Sequence, residues 1–180
     1  MKKPAIFLDR DGTVCREVNY LSHPDDLEIF PFTSKALQLL KEKDFLIILI
    51  TNQSGIGRGF FDKNTLTKIH KKLILELEKE KVSLDAIYFC PHISEDLCEC
   101  RKPKTGMIEQ AAKDFEIDLE NSWVIGDKTA DIETGFNAGT NTALVLTGYG
   151  QDELQKLQKN ADIVGENLFE IVKKIIETRK

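Results

Sequence analysis

The sequence predicts a three-layer α/β/α domain built on a mostly parallel sheet. Three observations carry this reading. Short, fully apolar runs alternate with amphipathic stretches along the chain. The 180 residues, read as one domain over 1–180, suit a single globular unit. Hydrophobic residues make up 41%, enough to fill a core on both faces of a sheet, and charged residues 31%, enough for a solvated surface.

The elements follow in order. Ala5 to Asp9 (AIFLD) reads as a buried strand. From Ser34, SKALQLLKEK has helical spacing, with Ala36, Leu37 and Leu40 on one side. Phe45 to Thr51 (FLIILIT) is apolar throughout, as a strand covered on both faces should be. Asp62 can cap a helix whose stripe is Leu66, Ile69, Leu73 and Leu77. Ala86 to Cys90 (AIYFC) is the next strand. Residues 105–116 form a helix with Met107, Ile108, Ala111, Ala112 and Phe115 inward. Trp123 to Gly126 and Thr142 to Leu146 are strands, with a short helix over 129–138 between them. A last strand around Ala161 to Val164 leads to a helix ending near Lys180. Strand and helix alternating in this way imply a Rossmann-like parallel sheet with helices on both faces. No linker, repeat or low-complexity tract interrupts it.

Charge and cysteine usage narrow the class. The net charge of -5 argues against a nucleic-acid partner, because duplex affinity comes mainly from Lys and Arg on phosphates. The apolar stretch after Lys2 and Lys3 runs only from Ala5 to Leu8, too short for a signal core, and no run approaches a membrane span. The expected location is cytoplasmic. Three of the four cysteines fall between Cys90 and Cys100, which in such a setting suggests metal rather than disulfides. Cys15 stands alone and reads as a buried or free thiol.

In open α/β sheets, ligands bind beyond the carboxyl ends of the strands. Four loops there carry unusual residues. Asp9-Arg10-Asp11-Gly12-Thr13 places two acids two residues apart; on an extended chain both would point the same way. Their repulsion calls for a hard divalent cation. One acid could then attack phosphorus and the other pass a proton to the leaving oxygen. Thr51-Asn52-Gln53-Ser54-Gly55 offers donors for phosphate oxygens. Arg101-Lys102-Pro103-Lys104 offers cations for a transferring phosphoryl group. Gly126-Asp127, with Asp131 four residues on, suits magnesium. Taken singly, these loops also read as a solvated turn, a plain β-to-α loop, a basic surface loop and a helix cap. As an ordered set at one sheet edge they read as one phosphate-handling site.

A fifth constellation is Cys90-Pro91-His92 followed by Cys98-Glu99-Cys100. Three thiolates and an imidazole make a closed tetrahedral zinc site with no open position, hence a structural one. The loop is too short for its own core, so the metal would order it and place Arg101 and Lys102.

These residues closely resemble the haloacid-dehalogenase-like phosphatases: DxDGT at Asp9 to Thr13, a Ser/Thr motif at Thr51, a lysine motif at Lys102, and an acidic motif at Gly126, Asp127 and Asp131. The zinc loop and the stretches FLDRDGT, TNQSGIGRG, CPH, CRKP, GM and GDK resemble the D-glycero-D-manno-heptose 1,7-bisphosphate 7-phosphatase family, whose members lack a large cap domain. Two departures are a shorter Cys-His to Cys-Cys spacer and Thr105 where a proline commonly precedes Gly-Met.

The resemblance implies that Asp9 is the nucleophile and Asp11 the general acid and base. Thr51 and Lys102 would hold phosphoryl oxygens. Magnesium would be held by Asp9, the Asp11 main-chain carbonyl and Asp127, with Asp131 acting through water. Glu17, Val18, Asn19, Tyr20, Thr51, Asn52, Gln53, Ser54, Arg101 and Lys128 would contact substrate. It implies a monomeric enzyme acting on a phosphorylated sugar, in the supply of nucleotide-activated heptoses for lipopolysaccharide or surface-layer glycans. The alternatives are a histidinol-phosphate phosphatase, a polynucleotide 3′-phosphatase, and a non-catalytic binding module on the same fold.

Overall fold

The computed structural model describes residues 2–178. The strands are β1 (Ala5–Leu8), β2 (Leu46–Asn52), β3 (Ala86–Cys90), β4 (Trp123–Gly126), β5 (Asn141–Val145) and β6 (Ile163–Gly165). The helices are α1 (Thr33–Glu42), α2 (Ser54–Gly57), α3 (Lys63–Lys79), α4 (Gly106–Asp114), α5 (Thr129–Ala138), α6 (Gly150–Glu153) and α7 (Leu168–Thr178). All six strands are parallel, in the order β3-β2-β1-β4-β5-β6. The strand order reverses between β1 and β4, which pair directly with Ile6 opposite Trp123. That reversal opens the crevice in which such sheets bind ligands.

Side chains alternate across each strand and sort the core into two layers. Ile6, Leu8, Ile47 and Leu49 pack on one face with α1, α3 and α7. Ala5, Phe7, Ile48 and Ile50 pack on the other with Met107, Ile108 and Ala111 of α4 and Ala138 of α5. Each fully buried Leu, Ile or Phe here contributes about 1.5–3 kcal/mol of transfer free energy. The rows of apolar residues on both sides of β1 and β2 explain why those strands read as unbroken hydrophobic runs.

The cap at Asp62 is present: its carboxylate accepts from the Thr65 N–H at 2.7 Å. The helix expected over 105–116 stops at Asp114, because Phe115 is already extended (φ -131°, ψ 148°). The last strand lies at Ile163–Gly165, shifted toward Gly165. The last helix is described as far as Thr178, and its expected end at Lys180 lies outside the described residues. Residues 9–32, between β1 and α1, hold one short 3-10 turn at Pro24–Asp26 and no inserted cap domain.

Candidate active site

Asp9 leaves β1 with its N–H donated to the Ile125 carbonyl of β4 at 2.9 Å, so it sits at the strand-order reversal. Beyond it the chain does not stay extended. The N–H groups of Val14 and Cys15 fold back onto the Arg10 carbonyl, and Gly12 takes φ +87°. The extended stretch on which Asp9 and Asp11 were expected to align is therefore not formed, and the Asp11 carboxylate is held by Arg10 Nη2 at 2.7 Å and Gln53 Nε2 at 3.0 Å, in the lining of the cavity described below.

The partners Asp9 meets instead are Asp127 and Asp131. The three carboxylates offer oxygens all within 4.8 Å of one another. Lys102 bridges two of them, at 2.7 Å from Asp9 Oδ1 and 2.6 Å from Asp131 Oδ1, and also donates to the Ile50 carbonyl at 3.0 Å. Both ion pairs are buried, so each breaks only at large cost. Burial would lower the Lys102 pKa, but Asp131 and Asp9 outweigh it and raise it, so the ammonium stays charged. Burial, then the charges of Asp9 and Asp131, push the Asp127 carboxyl up to about 8. Asp127 Oδ2 accepts from the Tyr149 N–H at 2.8 Å, whereas Oδ1 is buried with no hydrogen-bond partner.

This donor set fits a hard divalent cation: clustered carboxylate oxygens, one of them lacking a partner, short of positive charge. The cradle is closed by backbone. A Cβ at Gly12 or at Gly148 (φ +56°) would collide with Asp127 Oδ2, and both glycines also need their positive φ. The Thr147 hydroxyl ties the two turns together by donating to the Gly12 carbonyl at 2.6 Å.

The side chains at the end of β2 and beside Lys102 are locked by one another. Gln53 Nε2 donates to Thr51 Oγ1 at 2.8 Å, which leaves the Thr51 proton available for another acceptor. Asn52 grips the Lys102 main chain from both sides: its amide donates to the Lys102 carbonyl at 3.2 Å and accepts from the Lys102 N–H at 3.1 Å. Its amide thus fixes Lys102. Above this floor lies a cavity of ≈ 690 Å³. Asp11, Glu17, Val18, Asn19, Tyr20, Asn52, Gln53, Ser54, Arg101, Lys102 and Lys128 all line it, whereas Thr51, Asp9 and Asp127 are buried outside its lining.

Lys128 projects into the wall between Glu17 Oε2, at 3.2 Å, and the Tyr149 ring, at 4.7 Å. Burial works against its charge, but Asp9, Asp127 and Glu17 raise its pKa. Burial also raises the Glu17 pKa, against the pull of Lys128.

Sequence reasoning missed Tyr149, Gly148 and the Arg10–His70 contact. The only local signal was the Thr-Gly-Tyr-Gly run after β5, which reads as a plain turn.

The thiol cluster is assembled as expected. Cys90, His92, Cys98 and Cys100 bring their ligand atoms within 4.8 Å of one another. His92 Nδ1 lies 3.6 Å from Cys90 Sγ and 3.3 Å from Cys100 Sγ, and the Sγ–Sγ separations run from 3.0 to 3.5 Å. A tetrahedron with zinc–sulfur arms of about 2.3 Å has edges of about 3.8 Å, so this set fits zinc after slight expansion. The loop grips the site: Gln53 N–H donates to the Cys90 carbonyl at 2.7 Å, Gly57 N–H to the Pro91 carbonyl at 2.9 Å, and Arg101 Nη1 to the His92 carbonyl at 3.2 Å.

Residues 99–171 match the HAD-hydrolase-like family model. A Haemophilus ducreyi protein named D-glycero-beta-D-manno-heptose-1,7-bisphosphate 7-phosphatase is 39% identical over 179 residues, 96% of this chain and 98% of its own. The chain belongs to the D-glycero-D-manno-heptose 1,7-bisphosphate 7-phosphatase family. The resemblance read from the motifs is thereby borne out. A Campylobacter jejuni relative named for the alpha anomer is 36% identical over 146 residues, 81% of this chain and 84% of its own. The heptose bisphosphatase fold recurs in a crystal structure of D,D-heptose 1,7-bisphosphate phosphatase from B. bronchiseptica, complexed with magnesium and phosphate. It superposes with a TM-score of 0.91 at 34% identity, covering 97% of this chain and 99% of the other.

Proposed function

We propose that this chain is a phosphomonoester hydrolase that removes the 7-phosphate of D-glycero-D-manno-heptose 1,7-bisphosphate, with Asp9 as nucleophile. One observation carries the reading. A strand-end carboxylate is held 2.7 Å from a buried lysine beneath a polar, sugar-sized cavity. Asp9 attacks the phosphorus in line, forming an acyl phosphate as the bond to the C7 oxygen breaks. Asp11 gives its proton to that oxygen. Asp11 then takes a proton from water, which attacks the aspartyl phosphate and releases inorganic phosphate while Asp9 is regenerated. Lys102 and the free proton of Thr51 steady the equatorial oxygens.

Magnesium would be held by Asp9, the Asp11 main-chain carbonyl and Asp127, with Asp131 through water; when bound it neutralises charge on the transferring group. Zinc on Cys90, His92, Cys98 and Cys100 would be structural. Glu17 to Tyr20, Gln53, Ser54, Arg101 and Lys128 line the space for the sugar, and Asn52 serves it by fixing Lys102. Such an enzyme would work as a cytoplasmic monomer supplying nucleotide-activated heptose.

The test is phosphate release with magnesium from both anomers of heptose 1,7-bisphosphate, fructose 1,6-bisphosphate, histidinol phosphate and a 3′-phosphorylated oligonucleotide. Preferred turnover of one heptose anomer is expected. Preference for histidinol phosphate or the oligonucleotide would overturn the substrate assignment.

A further inference from the structure

We infer that His70 of α3 is a positioning residue: through the Arg10 guanidinium it fixes the Asp11 carboxylate and the Gln53 amide for protonation of the departing sugar oxygen. The inference rests on the proposed role of Asp11.

Arg10 is a charged side chain with 0% exposure, an expensive arrangement unless every donor is used. Its Nε and Nη2 donate to Asp11 Oδ1 at 3.0 and 2.8 Å, and Nη2 also reaches Asp11 Oδ2 at 2.7 Å and Gln53 Oε1 at 3.3 Å. Nη1 has a different partner, His70 Nε2, at 3.3 Å. A guanidinium only donates, so Nε2 must accept and the ring must be neutral with its proton on Nδ1. Burial and then the Arg10 charge hold the His70 pKa down at about 3, in agreement with that tautomer.

The consequences run outward from His70. The guanidinium plane is pinned at its far end, so it presents its Nε–Nη2 edge to Asp11. The Gln53 carbonyl oxygen is drawn to Arg10, which turns its amide nitrogen toward Asp11 Oδ2 and Thr51 Oγ1. A buried ion pair is poor evidence for stability, since packed apolar residues often serve as well. What this one supplies is orientation: both oxygens of the acid are held. His70 itself is 8% exposed and is not part of the cavity lining, so its influence passes through Arg10.

The test compares leaving groups. A sugar alkoxide needs a proton to depart; p-nitrophenolate does not. The ratio kcat/KM reads the steps up to that departure. His70→Ala should lower kcat/KM on the heptose ester by at least about tenfold, and on p-nitrophenyl phosphate by less than about threefold. His70→Asn, which returns an oxygen to Nη1, should recover most of the loss. Should His70→Ala melt far below the parent, His70→Leu keeps the bulk, lacks the acceptor and takes its place. An equal fall on both esters, or no fall on the sugar ester, overturns the inference. If the parent prefers another alkyl phosphate, the same ratio is measured on that ester, so a wrong sugar and a wrong role for His70 are told apart.

Discussion

The two clusters of side chains that could hold a metal are built on opposite plans. Asp9, Asp127 and Asp131 are buried and stand on strand ends and the first turn of α5, with Lys102 already bridging two of them. Cys90 ends β3, His92, Cys98 and Cys100 sit on the loop that follows it, and these three are partly exposed. The first set is hard, three acids with room for further ligands. The second is soft and complete at four. Where the fold supplies its own counter-cation, a metal is free to serve chemistry. Where the fold supplies only a few backbone bonds, a metal has to serve the fold.

The contrast is broken or sharpened most strongly at Asp9. Asp9→Asn should cut kcat/KM by about a thousandfold or more while the fold survives, because Lys102 keeps Asp131 and the Ile50 carbonyl as partners. Substantial residual turnover in a clean preparation would contradict covalent catalysis there. The thiol cluster should behave in reverse. Cys98→Ala should lose zinc and about 5 °C or more of melting temperature; unchanged zinc content would remove Cys98 from the ligand set.

A third effect is the pH dependence of metal-free stability. The Asp127 carboxyl titrates near 3.8 when unfolded and near 8 in the fold, so the folded chain binds more protons between those values. Stability without metal therefore falls as pH rises through that window, by at most about 1.4 kcal/mol per pH unit. The rise in melting temperature on adding magnesium should be larger at pH 8 than at pH 5, and Asp127→Asn should flatten the metal-free slope. An equal rise at both pH values would count against a cation at these acids. The smallest effect is expected at Lys128, in the cavity wall: Lys128→Gln should raise KM about three- to tenfold with kcat within about twofold. A fall in kcat alone would place Lys128 among the groups acting in the transition state.

The sheet was legible because its strands are bare apolar runs, and the Cys/His cluster because its four members lie within eleven residues of one another in sequence. Asp9, Thr51 and Asp127 were legible because each follows or ends such a run, and Lys102 because it stands in the basic stretch Arg101-Lys102-Pro103-Lys104. The helix at Ser54–Gly57 was not, since four residues carry no period. Arg10 was opaque for a different reason. Between two aspartates it reads as a solvated turn residue, and only His70, sixty positions away, and Gln53 make its burial possible. The setting of Asp11 was not legible, because a two-residue spacing implies alignment only while the chain stays extended, and the Arg10 carbonyl ends that extension. Asn52 reads as a phosphate donor; the structure adds that its amide also holds the Lys102 main chain, fifty residues away, with one N–H and its carbonyl oxygen.

The Thr147–Gly12 bond spans 135 residues, and the Tyr149 N–H donates to Asp127 Oδ2. Synthesis runs from Asp9 toward that turn. A growing chain thus carries Asp9 long before it has a cradle, which waits until the turn at 147–149 has emerged and β4 has docked beside β1. Catalytic competence is therefore a late event in the life of each molecule, and a half-made chain is chemically silent toward the phosphate esters around it.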